Sequence, residues 1–208
     1  MEDVLDIYQS PYDRQNPWIC FDESCKQLVK QTRDPIPAKP GQPKRYDYQY
    51  ERNGVANLFM FFEPLTGWRH IEVTDQRTAV DYAHQMKYLV DECYPQADTI
   101  RVIQDQLNTH VKASLYKAFE PQEAKPIVDK LEFHHTPKHG SWLNMAEIEL
   151  SVVNRQCLNR RLRDQDTLKL EIGAWEEERN QKSHSVNWRF TTPDARIKLK
   201  RLYPSIQT

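Results

Sequence analysis

A pattern that occurs twice restricts this chain most: a short apolar run that stops at an acid. Trp18-Ile19-Cys20-Phe21 leads into Asp22-Glu23, and Ile100-Arg101-Val102-Ile103-Gln104 leads into Asp105. The first run is continuously apolar, which suits a strand buried on both faces in the middle of a sheet, and the second, interrupted by Arg101, repeats the strand-to-acid pattern. A single Asp closing such a strand ordinarily starts a turn or caps a helix. Two such acids, with a third on a late helix, can instead meet at one edge of the sheet.

The remaining segments predict what surrounds those strands. Residues 1–17 are polar and broken by Pro11 and Pro17, which reads as a lead-in rather than a core element. Four prolines and Gly41 between Asp34 and Pro43 mark a surface loop. Val55 to Phe62 reads as a strand, Glu63 to Gly67 as a turn, and Trp68 to Val73 as the returning strand. A helix follows over Thr78 to Tyr94, closed by Pro95. Short helices at Ser114–Phe119 and Pro126–Leu131 precede a strand at Leu131–His135. After the loop Thr136–Gly140, Ser141 is placed to cap a helix from Trp142 to Arg161. Residues 166–181 read as a further helix. A basic tail from Trp188 to Tyr203 completes the chain, with Thr192 as the cap of a short helix and Pro193 at its first position. The order is that of an α/β fold with a mixed sheet. It divides into a lead-in (1–17), a central α/β domain (18–165) and a C-terminal helix with its tail (166–208).

Several function classes are excluded. The 208 residues suffice for one domain or one domain with an appendage. No glycine-rich loop separates the first strand from a helix, so nucleotide-binding loops of that type fail on their own motif. Four cysteines without a C-x-x-C pair argue against a disulfide scaffold or structural zinc. No apolar stretch is long enough for a membrane span, and the acidic start is unlike a signal peptide, so a soluble, cytoplasmic protein is expected. The 29 basic and 30 acidic residues nearly cancel, a sum that can hide segregated patches.

The three acids are Asp22, Asp105 and Glu147, 83 and 42 positions apart. On the helix after Gly140, Leu143, Ala146, Leu150, Val153 and Cys157 form one apolar stripe. Glu147 and Glu149 flank it on opposite sides. Glu147 shares its side with Asn144, Ser151 and Asn154 and is the site candidate; Glu149 reads as a solvated helix-face charge. Converging carboxylates repel unless a cation neutralises them. An all-oxygen set favours Mg²⁺ or Mn²⁺ over zinc, and two such ions can activate a hydroxyl and stabilise the leaving oxygen of a phosphodiester.

Three segments carry a resemblance: Cys20-Phe21-Asp22-Glu23; Val102-Ile103-Gln104-Asp105-Gln106-Leu107-Asn108-Thr109-His110; and Thr136 to Glu147, containing Ser141-Trp142-Leu143-Asn144-Met145-Ala146-Glu147. With them the chain resembles the DDE transposases of bacterial insertion sequences in the mariner superfamily. Asn57 to Gly67 and Trp188 to Arg196 extend the similarity. The resemblance implies a ribonuclease H-like mixed sheet flanked by helices, with Asp22, Asp105 and Glu147 holding two Mg²⁺ ions that Mn²⁺ can replace. It implies cleavage at terminal inverted repeats and transfer of the freed 3′-hydroxyl into target DNA by a homodimer assembled on DNA in the nucleoid. Two departures stand out. Gln106 replaces the Asn that usually follows the second acid, and only about 17 residues precede the first catalytic strand, so end recognition is expected elsewhere.

Other residues have more than one reading. His110, and the cluster His134, His135 and His139, suit phosphate positioning or plain loop hydrogen bonding. Asn144 suits either orienting Glu147 or contacting DNA, or else simple capping of the helix start. Trp142 suits packing on the first turn or stacking on an unpaired base. Lys138, Arg155, Arg160, Arg161 and Arg163 are candidate DNA phosphate contacts. Two rival functions remain: a non-catalytic transposase remnant that dimerises or binds DNA weakly, and a structure-specific nuclease of the same fold.

Overall fold

A computed structural model describes residues 1–203. Its centre is a five-stranded sheet of β1 (Trp18–Gln31), β2 (Tyr50–Glu63), β3 (Trp68–Thr74), β4 (Ile100–Gln104) and β5 (Leu131–His135), in the order β3-β2-β1-β4-β5. β2 runs antiparallel to β1 and β3 on either side of it, whereas β4 and β5 continue the sheet parallel to β1. Seven α-helices accompany it among the described residues: α1 (Glu2–Tyr8), α2 (Ala79–Tyr88), α3 (Lys112–Ala118), α4 (Pro121–Lys130), α5 (Met145–Val153), α6 (Gln165–Gln181) and α7 (Thr192–Lys198). None is long and apolar enough to cross a membrane.

Strand alternation sorts β1 between two cores. Trp18 and Cys20 enter the core shared with α1, α5 and α6, beside Tyr8, Met145, Val153 and Ile172. Ile19 and Phe21 enter the core shared with α2, α3 and α4, beside Tyr82, Met86, Leu115 and Ile127. Helices thus cover both faces, as the unbroken apolar runs require.

Several expectations are corrected. The first strand does not stop at Asp22-Glu23 but continues to Gln31, because β2 pairs with it along nearly its whole length. The lead-in is a core element: α1 buries Val4, Leu5, Ile7 and Tyr8, which recur at helical spacing. The long helix expected over Trp142–Arg161 is a 3₁₀ turn at Ser141–Leu143, then α5, then a π-helical turn at Asn154–Leu158. Its cap is Asn144, whose side-chain oxygen accepts from the Ala146 amide, rather than Ser141. In α7 the cap is Thr191, one residue earlier than expected, with Asp194 closing a capping box. The last five residues of the expected 166–208 segment lie outside the described residues.

At the β2–β3 turn, Gly67 has φ +76°, and a Cβ there would lie 2.6 Å from the His184 carbonyl carbon. Glycine is needed both for the turn and for the chain that passes over it after α6.

Candidate active site

The pairing register brings the first two acids together. Trp18 lies opposite Arg101 and Cys20 opposite Ile103, an offset of 83 residues that is also the separation of Asp22 from Asp105. Extending the ladder two steps therefore sets Asp22 level with Asp105, just past the end of β4. Beyond that level β1 keeps only β2 as a partner, so the carboxylates sit where the sheet opens.

Alternation then turns adjacent acids to opposite faces. Asp22 faces α5, where it accepts from its neighbour's amide, Glu23 N, at 2.8 Å and from Asn144 Nδ2 at 3.3 Å. The same Asn144 amide donates to the Phe21 carbonyl at 2.8 Å. Asn144 thus caps α5 and ties its start to β1, and its side chain reaches Asp22 rather than Glu147. Glu147, in the first turn of α5, is half-buried. Burial pushes the Asp22 carboxyl up to about 7; the Glu23 amide opposes this, and the negative charges of Glu23, Glu147 and Asp105 reinforce it.

Glu23 faces the other way, toward His110. The buried His110 imidazole lies 3.0 Å from Glu23 Oε2 through Nε2 and 2.6 Å from Asp105 Oδ1 through Nδ1. Burial disfavours its charged form, but the two carboxylates outweigh this and push its pKa up to about 9. Both distances are those of ion pairs, which a ring protonated on both nitrogens makes with the two carboxylates. For Asp105, burial acts to raise the carboxyl, yet His110 and the Leu107 amide hold it below the ordinary range. Tyr82 stacks on His110 at 4.8 Å and donates to Gln104 Oε1, while Gln104 Nε2 donates to the His110 carbonyl at 3.1 Å. His110 is therefore a fixed positive link between Asp105 and Glu23.

Glu23, Gln104 and Tyr82 were not among the sequence candidates. Alternation carried a signal for Glu23, since it shares the buried face of Phe21 and Ile19. Gln106 is exposed and its amide donates to the Thr136 carbonyl at 3.2 Å, bracing the loop before α5. His135 Nδ1 lies 3.0 Å from the Asp105 carbonyl oxygen. His134 is drawn away to Asp3 of α1 at 2.8 Å.

Glu149 is not the solvated charge its position suggested. It is 2% exposed and paired with Arg69 Nε at 2.9 Å and Arg179 Nη2 at 2.8 Å. The flank of α5 that carries it faces α6 and β3 rather than water.

Arg160, Arg161 and Arg163 lie toward the far end of β1 rather than at the acids. Lys26 of β1 donates to the Leu158 carbonyl and the Val29 amide to the Leu162 carbonyl, so the chain after α5 follows β1 away from Asp22. Arg160 and Arg161 line a cavity of about 490 Å³ with Gln31, Lys44, Tyr46 and Asn159. Gln31 is nine residues beyond Asp22, roughly 30 Å along an extended strand. Arg160 is paired with Glu171, and Arg163 with Asp164. Arg155 donates to the Ser151 carbonyl. Lys138 is exposed in the loop leading to α5.

Among the described residues no three His, Cys, Asp or Glu side chains already form a closed metal-ligand group. The donors of the acidic corner nevertheless fit a hard divalent cation. They are carboxylate oxygens, and their mutual repulsion is what a cation relieves.

The sequence profile described as DDE superfamily endonuclease matches residues 17–169, from the start of β1 into α6. The chain belongs to this family. The match contains all three acids, the linking histidine and Asn144. No curated protein matches the chain significantly. Among solved structures, it is similar to one described as the crystal structure of the Mos1 strand transfer complex, with a TM-score of 0.57 and 14% identity over 88% of this chain. The similarity supports the ribonuclease H-like fold. The chain covers 54% of that protein, about half its length.

Proposed function

We propose that this DDE endonuclease is the catalytic domain of a transposase, cutting DNA at transposon ends and joining the freed 3′-hydroxyl to target DNA. The observation that carries the reading is the β1–β4 register, which sets Asp22 level with Asp105 while Asn144 fastens the start of the Glu147 helix beside them. Asp22, Asp105 and Glu147 would hold two Mg²⁺ ions, or Mn²⁺ in their place, and those ions supply activation of the attacking hydroxyl and stabilisation of the departing oxygen.

The chain's own residues prepare that chemistry. His110 fixes Asp105 from behind and balances part of the local negative charge. Asn144 orients Asp22 and keeps the first turn of α5 against β1. On this reading Lys138 meets a phosphate near the cut, and Arg155, Arg160, Arg161 and Arg163 meet DNA farther along the chain after α5. The substrates of this reading are terminal inverted repeats and target DNA, with a homodimer assembled on them in the cytoplasm at the nucleoid. The Mos1 structure, a strand transfer complex by its description, supports it.

The test is cleavage of transposon-end duplexes by the full chain with Mg²⁺ or Mn²⁺. Asp22→Asn, Asp105→Asn and Glu147→Gln should each abolish cleavage while remaining folded. Undiminished cleavage by any of the three removes that residue from the site, and survival of all three ends the proposal.

A further inference from the structure

Trp142 is the large side chain that the acidic corner leaves unexplained. It lies in the 3₁₀ turn five residues before Glu147 and two before Asn144, and it is 44% exposed. Its indole stacks on Trp188, with centroids 6.5 Å apart and planes at 19°, and meets Phe190 edge-on at 5.9 Å. These supports are themselves held. Trp188 Nε1 donates to the Phe190 carbonyl at 2.7 Å, and Trp188 packs on Tyr8 at 5.1 Å. Tyr8 in turn donates to the carbonyl of Leu143, next to Trp142, at 2.5 Å. The ring is therefore fixed from behind before anything binds, and ordering it adds little cost on contact.

A rigid, half-exposed indole beside a DNA-cutting site has the chemistry of a stacking platform. The chain from Trp142 to Glu147 spans on the order of 10 Å, about three nucleotide steps at the 3.4 Å strand repeat. Lys138 and His139 are exposed in the same loop, on the approach to that ring.

We propose that Trp142 stacks on an unpaired DNA base within about three nucleotides of the cut, holding the strand open at the acidic corner. The inference rests on the nuclease reading above and makes Trp142 a positioning residue. It implies a preference for locally unpaired DNA over continuous duplex.

The probe is a short duplex with unpaired 3′ adenines, one replaced by 2-aminopurine, compared with the same sequence fully paired, using the full chain in EDTA so that nothing is cut. The unpaired probe should bind about 5- to 100-fold more tightly, the range that one base–aromatic stack supplies, and its fluorescence should be quenched. Trp142→Ala should remove the preference and the quenching while leaving affinity for paired duplex unchanged. Trp142→Phe keeps a ring on the Trp188 stack and should retain part of both; thermal melting confirms that each variant is folded. A preference that persists in folded Trp142→Ala overturns the proposal, as does equal loss of affinity for both probes. Wild-type binding to both probes without preference also overturns it, while leaving the nuclease reading intact. Failure to bind either DNA at all removes that reading and this inference together.

Discussion

Two glutamates two residues apart on one short helix have opposite surroundings. Glu149 is enclosed and meets Arg69 and Arg179, so its charge is answered within the fold. Glu147 is half-buried at the open end of the sheet, where its charge acts on Asp22, another acid. The first arrangement is what stability asks of a buried carboxylate. The second is costly to the fold and makes sense where a cation and a phosphate diester complete it. Glu149 is matched within the scaffold, whereas Asp22 and Glu147 face like charge at a corner where His110 answers Asp105.

The largest expected effect tests the unmatched side. Glu147→Gln should lower metal-dependent cleavage by about 10³-fold or more, several kcal/mol of barrier, with little change in melting temperature. Next is the matched side: Glu149→Gln leaves two arginines uncompensated and should cost about 3–5 kcal/mol in denaturant unfolding. The fraction that remains folded should still cut in a metal-dependent manner. If Glu149→Gln proves harmless to stability while cleavage disappears, the two roles are exchanged.

A smaller effect has the opposite sign. In EDTA at pH 8, Asp22→Asn removes a buried charge surrounded by like charges and should raise the melting temperature by about 2–8 °C. A fall would show that Asp22 is already compensated in the metal-free fold. The smallest effect concerns a matched pair at the surface. The Arg196 guanidinium holds the Glu2 carboxyl down to about 2, against an unfolded value near 4.5. The stability this pair contributes is fully present above pH 4.5 and is lost as pH falls toward 2. Glu2→Gln should therefore shift acid unfolding slightly and leave neutral stability almost unchanged, as melting curves across that range can check.

The sequence exposes the unmatched corner more readily than the matched one. Asp22 and Asp105 stand out because each ends an apolar run, and Glu147 because Ser141-Trp142-Leu143-Asn144 leads into it. Glu149 was misjudged because its partners are remote: Arg69 is on β3 and Arg179 near the end of α6. Helical periodicity identifies a flank, but only tertiary packing decides whether that flank meets water. Glu23 was legible in principle through alternation, but its value depends on His110, 87 positions later. The second half of β1 was invisible because it is largely exposed and lacks the apolar signature of its first half. α1 is masked for the reverse reason: Pro11 and Pro17 read as breaks beside Val4, Leu5, Ile7 and Tyr8, whose helical spacing is short.

The amide of Asn144 gives this molecule a single point of failure. One side chain starts a helix, grips the neighbouring strand and holds the Asp22 carboxylate, so assembly of the domain and the setting of the proposed site are one event. A lineage drifting toward inactivity would find no cheap route through this position, because the change that blunts the acid also loosens the architecture.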